Sequence, residues 1–428
     1  MAISGPPEPR GAREPGGIGA FALLSGARWF PVGLGLSVLV LIMQSRGLSV
    51  AAVGLVVGAY SITTLALELP TGALGDAWSR KRVVVLGALT EMCAFLLLAV
   101  APGLALMLVA ALLLGAGSAL VTGPLPAWFV DATLATDADT DLRPGLARGQ
   151  AAETLALAAG IGVGGLLPGL VGDRWLGLPS GGDTLLVSLS VPLLLAAAAE
   201  LLFAVLVVVL MTGPDHRKES TGSVPRAMRA AVSDAVRLSR RSRVVRLLLV
   251  GVVAVGFVLS GMELLIPGEL SAIRGDPESG AAAYGLLAAV GFLLGAGAAL
   301  ASPAVARRVW SGSPTKLVAA SALAGAFGVA VLLLGGLGAV AGGYVWVYTL
   351  LAFIGPLTAD LLHRQADASI RSTVLSIESM AIGIGGITGS VALGLLSSAF
   401  GTGAGFTVMA VALLIAAAAY ARISVAAR

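Results

Sequence analysis

The stretch Gly72-Ala73-Leu74-Gly75-Asp76-Ala77-Trp78-Ser79-Arg80-Lys81-Arg82 is a short charged loop between two long apolar segments. Gly72 and Gly75 let two helices approach closely at the end of the preceding segment, as small residues do in membranes. Asp76 is a costly charge near a bilayer edge and calls for a partner. Arg80 lies four residues on, within helical i,i+4 reach, and an aspartate there can also cap a neighbouring helix N-terminus. Two roles fit these residues. The loop is either a basic anchor with a locally paired aspartate, or a contact that holds one conformation of a two-state machine and breaks in the other.

Composition places the segments around this loop in a membrane. The 428 residues are 57% hydrophobic and 12% charged, with mean hydropathy +0.96. A soluble domain carries roughly 25% charged residues, so the polar surface needed to keep a large globule in water is missing. The net charge of +4 is modest, and the basic residues sit in separate loops rather than on one face, which argues against nucleic acid as a partner. The single cysteine, Cys93, excludes an internal disulfide, and the two histidines, His216 and His363, are far apart, so no Cys/His metal cluster is expected. The first 17 residues lack an apolar core and a small-residue cleavage site, so they read as a disordered tail rather than a cleavable signal.

A helix needs about 20 apolar residues to cross the hydrocarbon core. Runs of that kind lie at about 21–43, 48–71, 83–101, 104–130, 146–171, 184–212, 244–267, 280–306, 316–335, 339–362, 372–399 and 402–422, with ends uncertain by ~4 residues. The third and fourth are divided only by Ala101-Pro102-Gly103, the ninth and tenth only by Gly335-Gly336-Leu337-Gly338. Eleven or ten spans are the alternatives.

Basic residues test the count. With the N-terminus cytoplasmic, 24 of the 27 Lys and Arg fall on the inner side, nine of them between Arg217 and Arg246. The outer loops hold only Arg46, Arg174 and Arg274. Cytoplasmic loops carry this excess, so both termini are expected in the cytoplasm of a multi-pass protein of the cell membrane. Trp29, Trp78, Trp128, Trp175, Trp310 and Trp346 all fall near expected span ends, where tryptophan prefers the interface.

The longest polar stretch divides the chain into two six-span halves, 21–212 and 244–422, with tails at 1–20 and 423–428 and a linker at 213–243. Arg80-Lys81-Arg82 after span two and Arg307-Arg308 with Lys316 after span eight form a weak internal repeat. Two parallel six-helix halves around a midplane site is a known transporter plan. Within the linker, Met228, Val232 and Val236 recur at i, i+4 and i+8 among basic residues. That pattern is either an amphipathic helix on the inner leaflet or a solvated linker whose charges only set topology.

These features together resemble the major facilitator superfamily of secondary transporters. Gly72, Leu74, Asp76, Arg80 and Lys81 match that family's loop pattern position by position. Glu68-Leu69-Pro70-Thr71-Gly72 and Thr122-Gly123-Pro124-Leu125-Pro126-Ala127-Trp128-Phe129-Val130-Asp131 look like its bacterial drug-exporter side. The resemblance implies an all-α fold of twelve transmembrane helices in two pseudo-symmetric halves. It also implies an inner-gate charge network of Gly72, Asp76, Arg80, Lys81 and Asp131. Ser79 replaces the family's usual glycine and Ala77 its usual basic residue. Ala111 stands where an arginine linked to proton coupling is expected, which puts standard coupling in doubt. Pro168-Gly169 reverses the order of the antiporter motif in span five.

Ionisable residues inside spans are functional candidates. The acids are Glu91, Glu153, Glu200, Glu263 and Glu378. A carboxyl held in an apolar setting favours its neutral form, which suits a proton carrier. Glu263, in the outer half of span seven before a helix break at Pro267, leads as coupling or substrate residue, and Glu378 follows. Glu200 is the deepest by position, on a sixth helix expected to be peripheral. Arg28 either attracts an anionic ligand or anchors the inner interface. Tyr344 and Tyr348 share a helix face and either line a cavity for cationic, aromatic ligands or belong to an interfacial belt. For each acid the plainer role is a structural hydrogen bond or snorkelling.

The expected function is secondary transport of a small amphiphilic or drug-like molecule by alternating access, with proton-coupled efflux favoured. The alternative is an importer or an uncoupled facilitator. No G-x-x-x-x-G-K-[ST], H-E-x-x-H or G-x-S-x-G occurs, so neither ATP drive within the chain nor an enzyme is expected. A membrane receptor is a remoter class. No cofactor or metal is called for. The expected partners are a small-molecule substrate, protons and membrane lipids, and the protein is expected to be a monomer. The preference for Arg and Ala over Lys fits a GC-rich bacterial genome.

Overall fold

A computed structural model describes residues 17–137, 139–175, 185–212, 242–309, 313–364 and 371–423. The N-terminal tail up to residue 16, the amphipathic pattern of the linker and Trp310 lie outside the described residues, as do the side chains of Gly72, Asp76, Arg174, Trp175 and His363. Among the described residues every regular element is helical. That is what a membrane requires, because a helix satisfies its backbone hydrogen bonds within one segment.

Among the described residues, twelve helices are long and apolar enough to span. They are one (Ile18–Ser45), two (Val50–Glu68), three (Arg80–Val100), four (Leu104–Thr136), five (Arg143–Val171), six (Ser188–Leu210), seven (Arg243–Arg274), eight (Pro277–Val309), nine (Pro314–Leu332), ten (Gly336–Leu362), eleven (Ile377–Phe400) and twelve (Thr402–Ala421). The two doubtful divisions both hold. Span three ends at Val100 and span four starts at Leu104. Gly335 and Gly336 take φ of 69° and 78° between spans nine and ten, a turn that non-glycine residues adopt only with strain. Span six exposes Leu201, Leu202, Val205, Val208 and Val209, an apolar outer face suited to lipid rather than water.

Span seven departs from expectation. Its helix runs unbroken through Pro267 and ends only at Gly275, whose φ is 89°. Proline removes one donor from a helix, and here the group left without its i+4 amide is the carbonyl of Glu263. The surrounding helices support the rest of the turn. Glu263 therefore lies nearer the middle of a long helix than the outer edge of a short one.

The helix pairings repeat between halves. Spans one and five, two and four, three and four, three and six, and one and six pack together in the first half. Spans seven and eleven, eight and ten, nine and ten, nine and twelve, and seven and twelve do so in the second. Each pair maps onto its counterpart six spans later. The halves meet along five against eight and two against eleven, two seams that exchange under the same operation.

Both seams are tight at one end, the end holding the turns after spans one, seven and eleven. A Cβ on Gly285 would lie 2.8 Å from the Gly165 Cα, and one on Gly54 would meet Ser390 backbone and lie 3.3 Å from the Gly394 Cα. Without side chains the helices cross backbone on backbone. Ala51 N–H donates to Ser398 Oγ at 2.8 Å, and Ser188 Oγ–H donates to Glu278 Oε1 at 2.6 Å, both across the halves. Further along, the seams loosen. A Cβ on Gly383 would lie 3.5 Å from Leu65 of span two, and one on Gly162 would lie 3.7 Å from Ala289 of span eight. The molecule is closed at the first end.

Arg46 sits at that closed end and donates to the carbonyls of Ala99, Ala101 and Leu185 at 2.8, 2.8 and 2.7 Å. The last turn of a helix leaves carbonyls unpaired, and Arg46 satisfies those of span three. Its partial burial lowers the guanidinium from its ordinary value.

Candidate functional site

Spans one, three, four and six meet around Arg28. It lies ten residues into span one, about 15 Å from that helix's start at 1.5 Å per residue, and so is well inside the hydrocarbon. Its Nη2 donates to Glu91 Oε1 at 2.7 Å and to Ser118 Oγ at 3.2 Å. Its Nη1 is 3.5 Å from Glu200 Oε1. The three charged side chains are 4%, 1% and 0% exposed. Arg28 is thus neither an interfacial anchor nor open to an anionic ligand here. Glu200 faces inward to it although span six borders the lipid.

The sequence Gly115-Ala116-Gly117-Ser118 builds this arrangement. A Cβ on Gly117 would collide with Glu91 Cγ, so the missing side chain admits Glu91, and the next residue supplies the hydroxyl. Glu153, partly exposed on span five, faces the Ser25 hydroxyl and lies within electrostatic range of Arg28. Desolvating ions is expensive, and removing one member of a buried pair costs about 3–5 kcal/mol.

The second half carries a different chemistry. Glu263 of span seven faces Tyr348 and, further off, Tyr344 and Tyr284. Tyr344 and Tyr348 stack with centroids 4.4 Å apart, and Tyr284 meets Tyr344 edge-on at 6.3 Å. All three rings are buried, at 0%, 7% and 0% exposure for Tyr344, Tyr348 and Tyr284, so the belt reading of Tyr344 and Tyr348 fails. Their hydroxyls approach one another and the Glu263 carboxyl without completing hydrogen bonds of ordinary geometry. Glu263 itself is partly exposed. Buried hydroxyls normally find partners, and the nearest candidates for these are one another and Glu263.

Glu378 of span eleven accepts from Thr358 Oγ1 at 3.1 Å and lies near Tyr420. Nothing described brings it together with Glu263. In the charged loop, Arg80 pairs with Asp131 at the end of span four, joining the two positions that the family resemblance links. Arg80 and Lys81 open span three, and Gly72 and Asp76 lie in the last turns of the preceding helix. The Arg80 and Asp131 side chains are 20% and 37% exposed.

Sequence reasoning missed Ser118, Ser25 and Tyr284. Ser118 and Ser25 are small polar residues inside apolar runs, and Tyr284 stands alone on span eight with no neighbouring motif. Among the described residues no three His, Cys, Asp or Glu side chains are placed to hold a metal ion.

Comparison with known proteins places the chain among transporters. A family model described as Major Facilitator Superfamily matches residues 19–377. A search of curated proteins gives no match. Among solved structures, the nucleoside transporter NupG is similar with TM-score 0.76 at 15% identity, over 94% of this chain and 98% of that one. A bacterial homolog of the human lysosomal transporter Spinster, in an inward-facing and unoccupied conformation, gives 0.75 at 17% identity, over 94% and 95%. A peptide transporter, POT, in complex with sulfate gives 0.73 at 15% identity, over 95% and 94%. At these identities the likeness is one of fold.

Proposed function

Since the chain belongs to the Major Facilitator Superfamily, a family of secondary transporters that move small solutes by alternating access, we propose that it is a proton-coupled exporter of small, amphiphilic, drug-like molecules. The observation that carries this reading is Glu263, a partly exposed residue whose carboxyl is backed by three buried tyrosines on spans eight and ten. An acid beside aromatic rings favours solutes with an apolar body and a positive group. The drug-exporter look of Glu68–Gly72 and Thr122–Asp131 supports export.

The basic-residue excess supports cytoplasmic termini. In that orientation the Arg80–Asp131 pair lies at the cytoplasmic face and the tight seams lie outside, so the conformation described is inward-facing. Gly72, Asp76, Arg80, Lys81 and Asp131 form the inner gate in this reading. Glu263, Glu378, Tyr344 and Tyr348 serve the solute, and Arg28, Glu91 and Glu200 serve coupling.

A second reading, an importer or uncoupled facilitator, is favoured by Ala111 at the place where the family resemblance leads to an arginine. It also accommodates fold neighbours whose names are those of nucleoside and peptide transporters. The test uses inside-out vesicles with an imposed proton gradient, a pH dye and a panel of lipophilic cations, macrolides, tetracyclines and sugars. Proton-coupled export gives compound-dependent collapse that Asp76→Asn and Glu263→Gln abolish. Solute flux without collapse supports the second reading.

A further inference from the structure

The charges around Arg28 do not cancel. One guanidinium touches two carboxyls, Glu91 at 2.7 Å and Glu200 at 3.5 Å, all shut away from water. Among the described residues, Trp29 of span one lies beside Arg28 with its ring centroid 5.8 Å away, Gln150 of span five donates to Glu153, and further polar groups face the cluster. Span one adds the Ser25 hydroxyl, span two adds Tyr60, span four adds Ser118 and span five adds Glu153. None is cationic, and Glu153 is a third acid. With both buried carboxyls ionised, the cluster carries an uncompensated negative charge in a place where unpaired ions are expensive.

The oxygens tell the same story. Neither Glu200 oxygen nor Glu91 Oε2 receives a hydrogen bond of ordinary geometry, although the two carboxyl groups are near enough to interact directly. A bare carboxylate oxygen without a donor is disfavoured. A proton on one carboxyl gives it an O–H that points at the other, and leaves one anion for Arg28.

We propose that Glu91 and Glu200 share a single exchangeable proton, with Arg28 balancing the remaining charge, and that Glu153 with Ser25 is the route by which that proton reaches solvent. This proton store lies in the half opposite Glu263, so solute and proton occupy separate sites. Its role in coupling rests on the transporter reading above; its existence does not. The transfer is balanced: a proton from solvent binds Glu153, the Ser25 hydroxyl accepts it while giving up its own proton to a carboxylate of the Glu91–Glu200 pair, and the reverse steps return it to solvent.

The test is infrared spectroscopy of the purified full-length protein in H2O and D2O at neutral pH, reading the carbonyl stretch of protonated carboxyls. A band is expected that is lost in Glu200→Gln and equally lost in Glu91→Gln, because the acid left behind pairs as an anion with Arg28. Glu153→Gln is expected to keep that band and slow its deuterium shift. If the band survives both single glutamine changes, no shared proton exists. If only one change removes it, the proton belongs to one residue, and sharing is overturned. An unaltered deuterium shift in Glu153→Gln overturns the route.

Should a glutamine variant not fold, Glu91→Asp and Glu200→Asp decide. Each moves the band if its carboxyl shares the proton, and no movement in either overturns the proposal. The band is read without solute, so the two readings fail separately. A band with no flux of any compound sinks the drug-export reading alone, and flux without a band sinks the proton store alone.

Discussion

Arg28 Nη2 donates to Glu91 Oε1 at 2.7 Å across spans one and three, and both side chains are at most 4% exposed. A contact of this depth is conditional: each ion is tolerable only while the other is present. Arg28→Ala is expected to lower stability by about 3–5 kcal/mol, read as thermal unfolding in detergent. Arg28→Ala combined with Glu91→Gln is expected to recover part of that loss. If the double change is as damaging as the two singles added together, the residues do not depend on one another.

The pair between Arg80 and Asp131 is partly exposed, so it contributes at most about 1 kcal/mol to stability. An increment of that size still shifts a two-state equilibrium about fivefold. Asp131→Asn is expected to leave the unfolding temperature nearly unchanged while reducing transport. Exchanging the two charges, with Arg80→Asp and Asp131→Arg together, is expected to restore transport above either single change. No recovery would mean the pair is not a latch.

The seams are sensitive to a single side chain. A Cβ on Gly285 would lie 2.8 Å from the Gly165 Cα, and overpacking of this kind typically costs about 1–3 kcal/mol. Gly165→Leu and Gly285→Leu are expected to disfavour closure of that end. A cysteine placed at Gln44 in a Cys93→Ser background, labelled with a polar thiol reagent, should react faster in either variant. Unchanged labelling would show that the seam tolerates the bulk.

Glu263→Gln is expected to abolish solute-dependent proton movement without unfolding the protein. Tyr348→Phe removes a hydroxyl that faces that carboxyl. A hydrogen bond to a charged group contributes about 1.5–3 kcal/mol, so solute affinity is expected to fall by an order of magnitude or more. An unaltered Kd for Tyr348→Phe would leave the tyrosines as packing only.

At the closed end, Asp276 accepts from Ser279 N–H at 2.7 Å, and that hydrogen bond holds its carboxyl below the ordinary aspartate value. A depressed folded value means the contribution is full above the unfolded value, about 3.9, and is lost as pH falls through the folded one. Hydrogen exchange at the Ser279 amide is expected to stay slow in mildly acidic buffer and to quicken only in stronger acid. Asp276→Asn should remove that acid dependence.

The span count, the two halves and the pairing of the charged loop with the end of span four were legible because they rest on long apolar runs and a spaced motif. Pro267 was misread because a proline's effect depends on what packs around it: the missing hydrogen bond is local, while the neighbours holding the helix come from elsewhere in the chain. The Arg28 cluster was illegible as a cluster for a related reason. Its members are 63 and 90 residues apart, and no local pattern says that span six turns Glu200 inward. Tyr284 was invisible because a single aromatic in an apolar helix carries no period.

The glycine seams decide how the molecule can move. Backbone packed on backbone is held by dispersion, which a gap of 0.5–1 Å already weakens by a quarter to a half, and only two hydrogen bonds described here cross between the halves beside it. A seam of this kind behaves like a snap fastener: once parted slightly it has little reason to stay half joined. The traffic between its two faces is therefore expected to be abrupt, with partly opened forms too short-lived to leak.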